Sequence, residues 1–383
     1  MQALLTCCCG LDVHKDIIQA CILKGAADEE PEIIRAEFKA LQADLQKLCL
    51  WLLRNECFHV AMESTGVYWR PVYEAIEEYL PQYQCMMIVN AYHMRNLPGR
   101  KDDISDAEWI STLLRHGLLE PSFVPERLIR NLREYSRLYR AFVQEHASYS
   151  NRVEKFLQAH GFKLSSVLSS ILGASGRRIL ATLARKGRLT FMDVEALLDR
   201  QVKKTVEEIH IAISGKLDYS ECTYLNLLLE KIEHLDGEIS NIRTVMLELA
   251  SPYKIQLEQL DSIPGIDLKA GLAIMAEISA TPQDNFSNEK KLISWAGLSP
   301  RNDESAGKIK SRKITKGNPY IKSLLCQVAW SAVRCRKTSF SKWFWSHQGK
   351  LGKKKAIIAV ARKILALIYK LLKSGGFYDP MLA

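Results

Sequence analysis

The spacing of apolar and polar positions changes character several times along the chain. Residues 3–13, 17–25 and 32–40 (ALLTCCCGLDV, IIQACILKG and EIIRAEFKA) are short apolar runs separated by polar breaks, the second break holding Gly25, Asp28 and Pro31. This pattern predicts three strands in an antiparallel meander. Residues 39–54 carry apolar side chains at 41, 45, 48, 49 and 52, a helical spacing, and FHVAME (58–63) follows as a short buried strand. A helix over 68–80, a strand over 84–90 and a helix over about 103–116 complete the series. A meander that gives way to helix and strand in alternation predicts an α/β domain, a mixed sheet with helices on its faces, ending near residue 120.

Beyond Pro125 the pattern is almost wholly helical. Two long segments, LIRNLREYSRLYRAFVQEHASYSNRVEKFLQAHG and YLNLLLEKIEHLDGEISNIRTVMLELA, mix charges with apolar residues at nearly 3.5-residue spacing. They predict two long helices, packed either as a hairpin within the chain or as a dimer coiled coil. Residues 161–200 predict shorter helices broken by glycines. From about Ser251 a mainly α-helical domain follows. Residues 257–278 give a helix, a tight Pro264-Gly265 turn and a second helix, and 286–300 begin another. RNDESAGKIKSRKITKG is a basic loop or hairpin, Asn318-Pro319 opens a helix, and a last helix over about 353–373 stops at Ser374-Gly375-Gly376. The expected domains are therefore 1–120, 121–250 and 251–383.

The 383 residues, 47% of them apolar, suffice for several cores and exclude a disordered chain. No charge-free apolar run reaches the roughly 18 residues of a membrane span. The N-terminus shows no basic flank or cleavage site, so a soluble, cytoplasmic protein is expected. The ten cysteines include no Cys-x-x-Cys pair, and Cys7, Cys8 and Cys9 would alternate between the faces of a strand, which suits buried reduced thiols. Charge is more telling once divided. Residues 286–383 hold 21 Lys and Arg against four acids, a net of +17, leaving −7 for residues 1–285 (32 against 39). Interleaved with seven aromatic residues (Trp295, Tyr320, Trp330, Phe340, Trp343, Phe344 and Trp345), this basic quarter points to a polyanion such as nucleic acid.

Three groups of residues carry candidate chemistry. Asp12 interrupts the first strand, Glu63 ends the fourth, and Asp103 and Asp106 begin the domain's last helix. If the first and fourth strands are neighbours, the four carboxylates converge, and clustered carboxylates repel unless divalent cations neutralise them. Two magnesium ions about 4 Å apart are a common solution for phosphodiester chemistry. The plainer alternative is that acids simply suit a helix N-terminus. In KDDISDA, Asp102 competes with Asp103 for the third position. Second, the turn at Gly265 and the helix start after it could hold a phosphate, or form a plain helical corner. Third, Ser305 lies among Arg301, Lys308, Lys310, Arg312, Lys313 and Lys316. A hydroxyl there could attack phosphorus while the cations stabilise the charge that develops, although loop serines are more often only solvated.

Together the strings GLDVHKD, AMESTGVYWRPVYEAI, NLPGRKDDISDAEWISTLLRHG, LDSIPGIDLKAGLAIMAEI, KLISWAGLSPRNDESAGK and ITKGNPYIKSLL resemble transposases of the insertion sequence 110 family, including its 1111 subgroup. The likeness covers roughly 1–120 and 250–340. It implies a RuvC-like domain of RNase H fold with a DEDD acid set, a coiled-coil linker for dimerisation, and a C-terminal transposase domain with a helix-hairpin-helix unit and a catalytic serine. It further implies a recombinase that cuts and exchanges donor and target double-stranded DNA through a phosphoserine link, with Mg2+ on the acids. A structured bridge or seek RNA would guide it, and homodimers would pair into homotetramers acting at the bacterial nucleoid. By motif position the acids are Asp12, Glu63, Asp103 and Asp106, and the nucleophile is Ser305. Asp102 stands where the family string Lys-Thr-Asp has Thr, and Ala306 stands where Gly or Ser is common. Ser299 and Ser311 therefore remain alternatives to Ser305. The expected active site is composite, its acids and serine supplied by different domains or protomers. The rivals are a junction-resolving, metal-dependent nuclease that uses water, and a nucleic-acid scaffold without catalysis.

Overall fold

The computed structural model describes residues 3–379 apart from 65, 91–93, 95–104, 301–302, 306–307, 312 and 337, with the backbone alone for 303–305 and 308–311. The chain divides into two compact units, Met1–Val124 and Pro125–Ala383.

The first unit is built on five strands, β1 (Cys7–Val13), β2 (Ile17–Lys24), β3 (Glu32–Lys39), β4 (His59–Glu63) and β5 (Cys85–Val89), in the order β3-β2-β1-β4-β5. β2 runs antiparallel to β1 and β3, while β4 is parallel to β1 and β5, so the sheet is mixed. Central β1 is buried from Cys8 to Val13, which suits its mainly apolar run, interrupted by Asp12. Its adjacent cysteines divide between two cores. Cys9, Leu11 and Val13 pack with helices α1 (Gln42–Arg54) and α2 (Trp69–Tyr79), whereas Cys8 packs with α3 (Asp106–Arg115) on the opposite face. All ten cysteines are free. The helix expected over 103–116 is described from Asp106, because Ser105 caps it by accepting the Glu108 amide at 3.3 Å.

The second unit opens with the two long helices, α4 (Arg127–Ala159) and α9 (Tyr219–Leu249). They lie antiparallel within one chain, linked by Glu145 to Lys231 at 3.2 Å, His146 to Asp236 at 3.2 Å and His160 to Glu221 at 3.0 Å. Four short helices, α5 (Leu164–Val167), α6 (Ala174–Lys186), α7 (Phe191–Leu197) and α8 (Val206–Ala212), close a core with them around Leu157, Leu183, Leu228 and Ile232. The chain then forms α10 (Lys254–Asp261), α11 (Leu268–Ile278), α12 (Glu289–Trp295), the hairpin β6 (Asp303–Ser305) and β7 (Lys308–Ser311), α13 (Pro319–Arg334), α14 (Ser339–Leu351) and α15 (Lys353–Ser374). Among them α14 has no counterpart in the sequence reading. Its signals are the Thr338 hydroxyl, which accepts the Ser341 amide at 3.1 Å, and the buried pair Phe340 and Phe344 one turn apart. Gly375 ends α15 in the left-handed region, as its position predicts. No helix among the described residues is long and apolar enough to cross a membrane.

One carboxylate ties three of these helices together. Glu277, near the end of α11, is 3% exposed. Its Oε1 and Oε2 accept both arms of the Arg137 guanidinium from α4, at 2.9 and 3.0 Å. Oε2 also accepts Nδ2 of Asn318 at 2.7 Å, while Oδ1 of Asn318 accepts the Tyr320 amide at 2.9 Å and so caps α13. Arg133, one helical turn before Arg137, donates to the carbonyls of Ala276 and Glu277, at 2.9 Å each. Burial holds its guanidinium down at about 10, against the pull of Glu277. The Arg137 guanidinium also lies 4.1 Å from the centre of the Tyr320 ring. Removing one partner of such a pair leaves the others uncompensated, at a cost of about 3 kcal/mol. Glu277→Gln is therefore expected to lower the melting temperature of this unit by roughly 6–12 °C. A calorimetric melt within 2 °C of wild type would show that the network is not what holds these helices together.

Candidate active site

Asp12 and Glu63 come together because β1 and β4 are parallel neighbours. Leu11 pairs with Met62, which brings the next residue of each strand, Asp12 and Glu63, to the same sheet edge. Asp106 reaches that edge because α3 lies unusually close to β1. A Cβ on Gly10 would stand 2.1 Å from the Ala107 carbonyl oxygen and 2.5 Å from the Ser111 nitrogen, so only glycine allows the helix to settle there. Buried Ser111 then fastens the helix to the sheet, its hydroxyl donating to the carbonyl of Cys21 at 2.8 Å.

Asp12 is 8% exposed. Burial pushes its carboxyl above the ordinary range, the carboxylates of Asp106 and Glu63 push the same way, and His14 opposes them. His14 Nε2 lies 3.0 Å from Asp12 Oδ2. The sequence reading passed over this histidine, although two-residue strand alternation places it on the side of Asp12. Three like charges near one another, one of them buried, repel, and a divalent cation beside them would relieve that repulsion. Among the described residues, no group of three or more His, Cys, Asp or Glu is close enough to hold a metal ion. Asp103 and its rival Asp102 lie outside the described residues.

In the second unit, Ser305 is the last residue of β6 and pairs with Lys308. Lys308 and Lys310 alternate along β7 and share a face, while Arg301 and Arg312 lie outside the described residues. Lys313 and Lys316 are exposed beyond the hairpin. The hairpin's base is rigidly held. Pro300 bridges Ile314, the Thr315 amide donates to Ser299, and the Lys322 ammonium donates to the Lys316 carbonyl at 2.6 Å. Ser299 thus belongs to the base, not the tip. At the neck Gly297 and Gly317 cross backbone to backbone, and a Cβ on Gly317 would meet the Gly297 nitrogen at 2.2 Å. Gly265 is likewise a contact glycine. Its φ is 91°, and a Cβ there would lie 2.6 Å from the nitrogen of Ala332 on α13. The Ile266 amide is spent on the Ile263 carbonyl, so the turn bears on a helix on this side.

Two family models match these regions. One, a DEDD model of the IS110 type described as a transposase, spans residues 9–161, and another, described as transposase of the IS116/IS110/IS902 family, spans 257–343. Over these two regions the chain is similar to IS110-family transposases. Asp12, Glu63 and Asp106 fall inside the first match, and Glu277, Ser305 and Asn318 inside the second. Two proteins of Sinorhizobium fredii (strain NBRC 101917 / NGR234) are similar. "Putative transposase y4rJ" is 33% identical over 164 residues, covering 38% of this chain and 41% of its own length. "Putative transposase y4pF/y4sB" is 28% identical over 128 residues, covering 32% of each chain. The chain thus spans less than half the length of the curated relatives it matches.

In the first unit the close seat of α3 on β1 is what brings Asp106 to Asp12. Gly10→Ala must push that helix outward, an overpacking of about 1–3 kcal/mol. A melting temperature several degrees lower is expected, with the Asp12 region altered in NMR or hydrogen-exchange data. An unchanged melt and unchanged exchange would mean that the helix can shift without cost.

Proposed function

We propose that this chain is an insertion-sequence recombinase that cuts donor and target DNA and rejoins them through a covalent bond to Ser305. The observation that carries the reading is the convergence of Asp12, Glu63 and Asp106 on one sheet edge within a DEDD-family match. The strand order, three antiparallel strands followed by two parallel ones, supports a RuvC-like domain of RNase H fold. The antiparallel α4 and α9 supply an extended arm of about 50 Å for dimer contacts, at 1.5 Å per residue.

Ser305 is the nucleophile. Its Oγ attacks the scissile phosphorus, the Oγ–P bond forms, the P–O bond to the leaving nucleotide breaks, and the proton passes from Oγ to the departing oxygen. A hydroxyl of the exchanged strand then attacks the phosphoserine and returns the proton to Ser305. Arg301, Lys308, Lys310, Arg312, Lys313 and Lys316 stabilise charge on the phosphoryl oxygens. Asp12, Glu63, Asp103 and Asp106 would hold Mg2+, which when bound supplies positive charge to a phosphoryl oxygen. His14 orients Asp12 within this set.

A structured guide RNA chooses the DNA sites, and homodimers pair into homotetramers. RNA guidance is what the resemblance of the two regions to the family implies.

The test is to incubate the protein with the RNA encoded beside its gene, Mg2+, and labelled donor and target DNA, and to separate the products on a denaturing gel. A protein-linked DNA band is expected, at least 100-fold weaker in Ser305→Ala, Asp12→Ala and chelator-treated samples, on the scale of losing one oxyanion donor or more. Free cleavage products persisting in Ser305→Ala would instead make the chain a nuclease that uses water. Mixing Asp12→Ala with Ser305→Ala separates the modes of assembly, because recovery of the band requires acids and serine from different protomers.

A further inference from the structure

The aromatic residues of the basic quarter are used in two different ways. Phe340 and Phe344 are buried, and Trp295 lies against Phe286 with centroids 5.5 Å apart. Trp343 is engaged as well. Its ring stacks on His347 at 4.3 Å and 12°, and the Lys363 ammonium lies 5.1 Å from its centre. Trp330 on α13 and Trp345 on α14 differ, being 39% and 62% exposed. Both make T-shaped contact with the same buried ring, Phe344, at 5.8 and 5.3 Å, so their own centres are no more than the sum, 11.1 Å, apart. Two tryptophans thus contact one buried phenylalanine, with much of each ring in water.

The charge along this stretch of the chain is of one sign. Exposed Arg334 follows Trp330 by one helical turn, and exposed Lys342 precedes Trp345 by three residues, so each tryptophan has a cation on its own helix face. From Ser305 to Tyr378 the chain contains no Asp or Glu, against 18 Lys and Arg. An apolar protein partner would bury these cations without counter-charges, which is costly. A duplex offers phosphates but keeps the faces of its bases stacked within. The occupant that satisfies both features is an unpaired nucleic-acid strand, with a flat face on every base and an anion at every step.

We propose that Trp330 and Trp345 form a stacking platform for two unpaired bases of such a strand, with Arg334 and Lys342 on its phosphates. The proposal rests on the recombinase reading only in expecting nucleic acid, and it uses none of the acids nor Ser305. Strand exchange and RNA guidance both require single strands, and this surface would hold one while the duplex is open.

The test uses the full-length chain, a labelled dT12 oligonucleotide and a labelled 12-base-pair blunt duplex, with anisotropy for affinity and tryptophan emission for stacking. The expected result is that dT12 quenches emission, and that Trp345→Leu and Trp330→Leu each weaken dT12 binding roughly 5- to 100-fold. Duplex binding should change less than twofold, and Trp345→Phe should retain most of the affinity. Arg334→Gln should flatten the salt dependence of dT12 binding by about 0.7 in the log–log slope. Melts of each variant guard against misfolding, and the Phe variant provides the decisive arm if a Leu variant is unstable. The platform is refuted if the Leu variants bind dT12 as wild type does, or lose duplex binding equally. It is refuted too if Trp345→Leu shifts the oligomeric state in light scattering while leaving dT12 affinity intact, since the patch would then be a protein interface. Failure of the covalent-band test with these results in place would remove the recombinase reading and leave the platform standing.

Discussion

A single buried carboxylate sets the geometry of the second unit. Glu277 is nearly inaccessible to water and accepts from a guanidinium on one helix and from a capping amide on another. A charge in that position is tolerable only when every acceptor site is filled, so the helices must meet at one angle and one register. The cap matters as much as the ion pair. Asn318 cannot both donate to Glu277 and accept from the start of α13 unless the chain leaving the Ser305 hairpin arrives at a fixed point. The hairpin therefore inherits its position from a charge that plays no part in the proposed chemistry.

The first unit solves a different problem, that of keeping like charges together. Its acids sit at a sheet edge where one is buried and its neighbours raise the cost of ionisation. Such an arrangement is unfavourable by itself, and the close seat of α3 on β1, made possible by Gly10, holds it in place. Packing elsewhere in the unit, with a core on each face of the sheet, offsets the electrostatic cost. This local conflict between charge and stability is typical of sites shaped for a reaction rather than for folding.

Much of this was legible in the order of residues. Short apolar runs followed by helix and strand in alternation identify the mixed sheet, and Asp12 and Glu63 converge on condition that the first and fourth strands are neighbours, which the structure shows. The Asn318-Pro319 cap and the Gly375 stop were equally plain, because caps depend on local backbone chemistry. What could not be read has a common cause. Glu277 and Arg137 are 140 residues apart, and nothing local marks either as the partner of the other. Gly10 looks like a weak point in a strand until the helix over it is known. Helix α14 escaped notice because SFSKWFWS mixes aromatic and polar residues without a clean stripe. His14, two residues after Asp12, follows from simple strand alternation.

The glycine crossing at the neck of the hairpin has a mechanical meaning. Where side chains separate two segments, a load on one is partly absorbed by rotamer changes, each worth a fraction of a kilocalorie. Gly297 and Gly317 leave no such cushion, since backbone rests directly on backbone. Force applied at the neck would pass into α12 and α13 with little loss. The crossing is then the point through which the hairpin bears on the fold, and the helices behind it form its mounting.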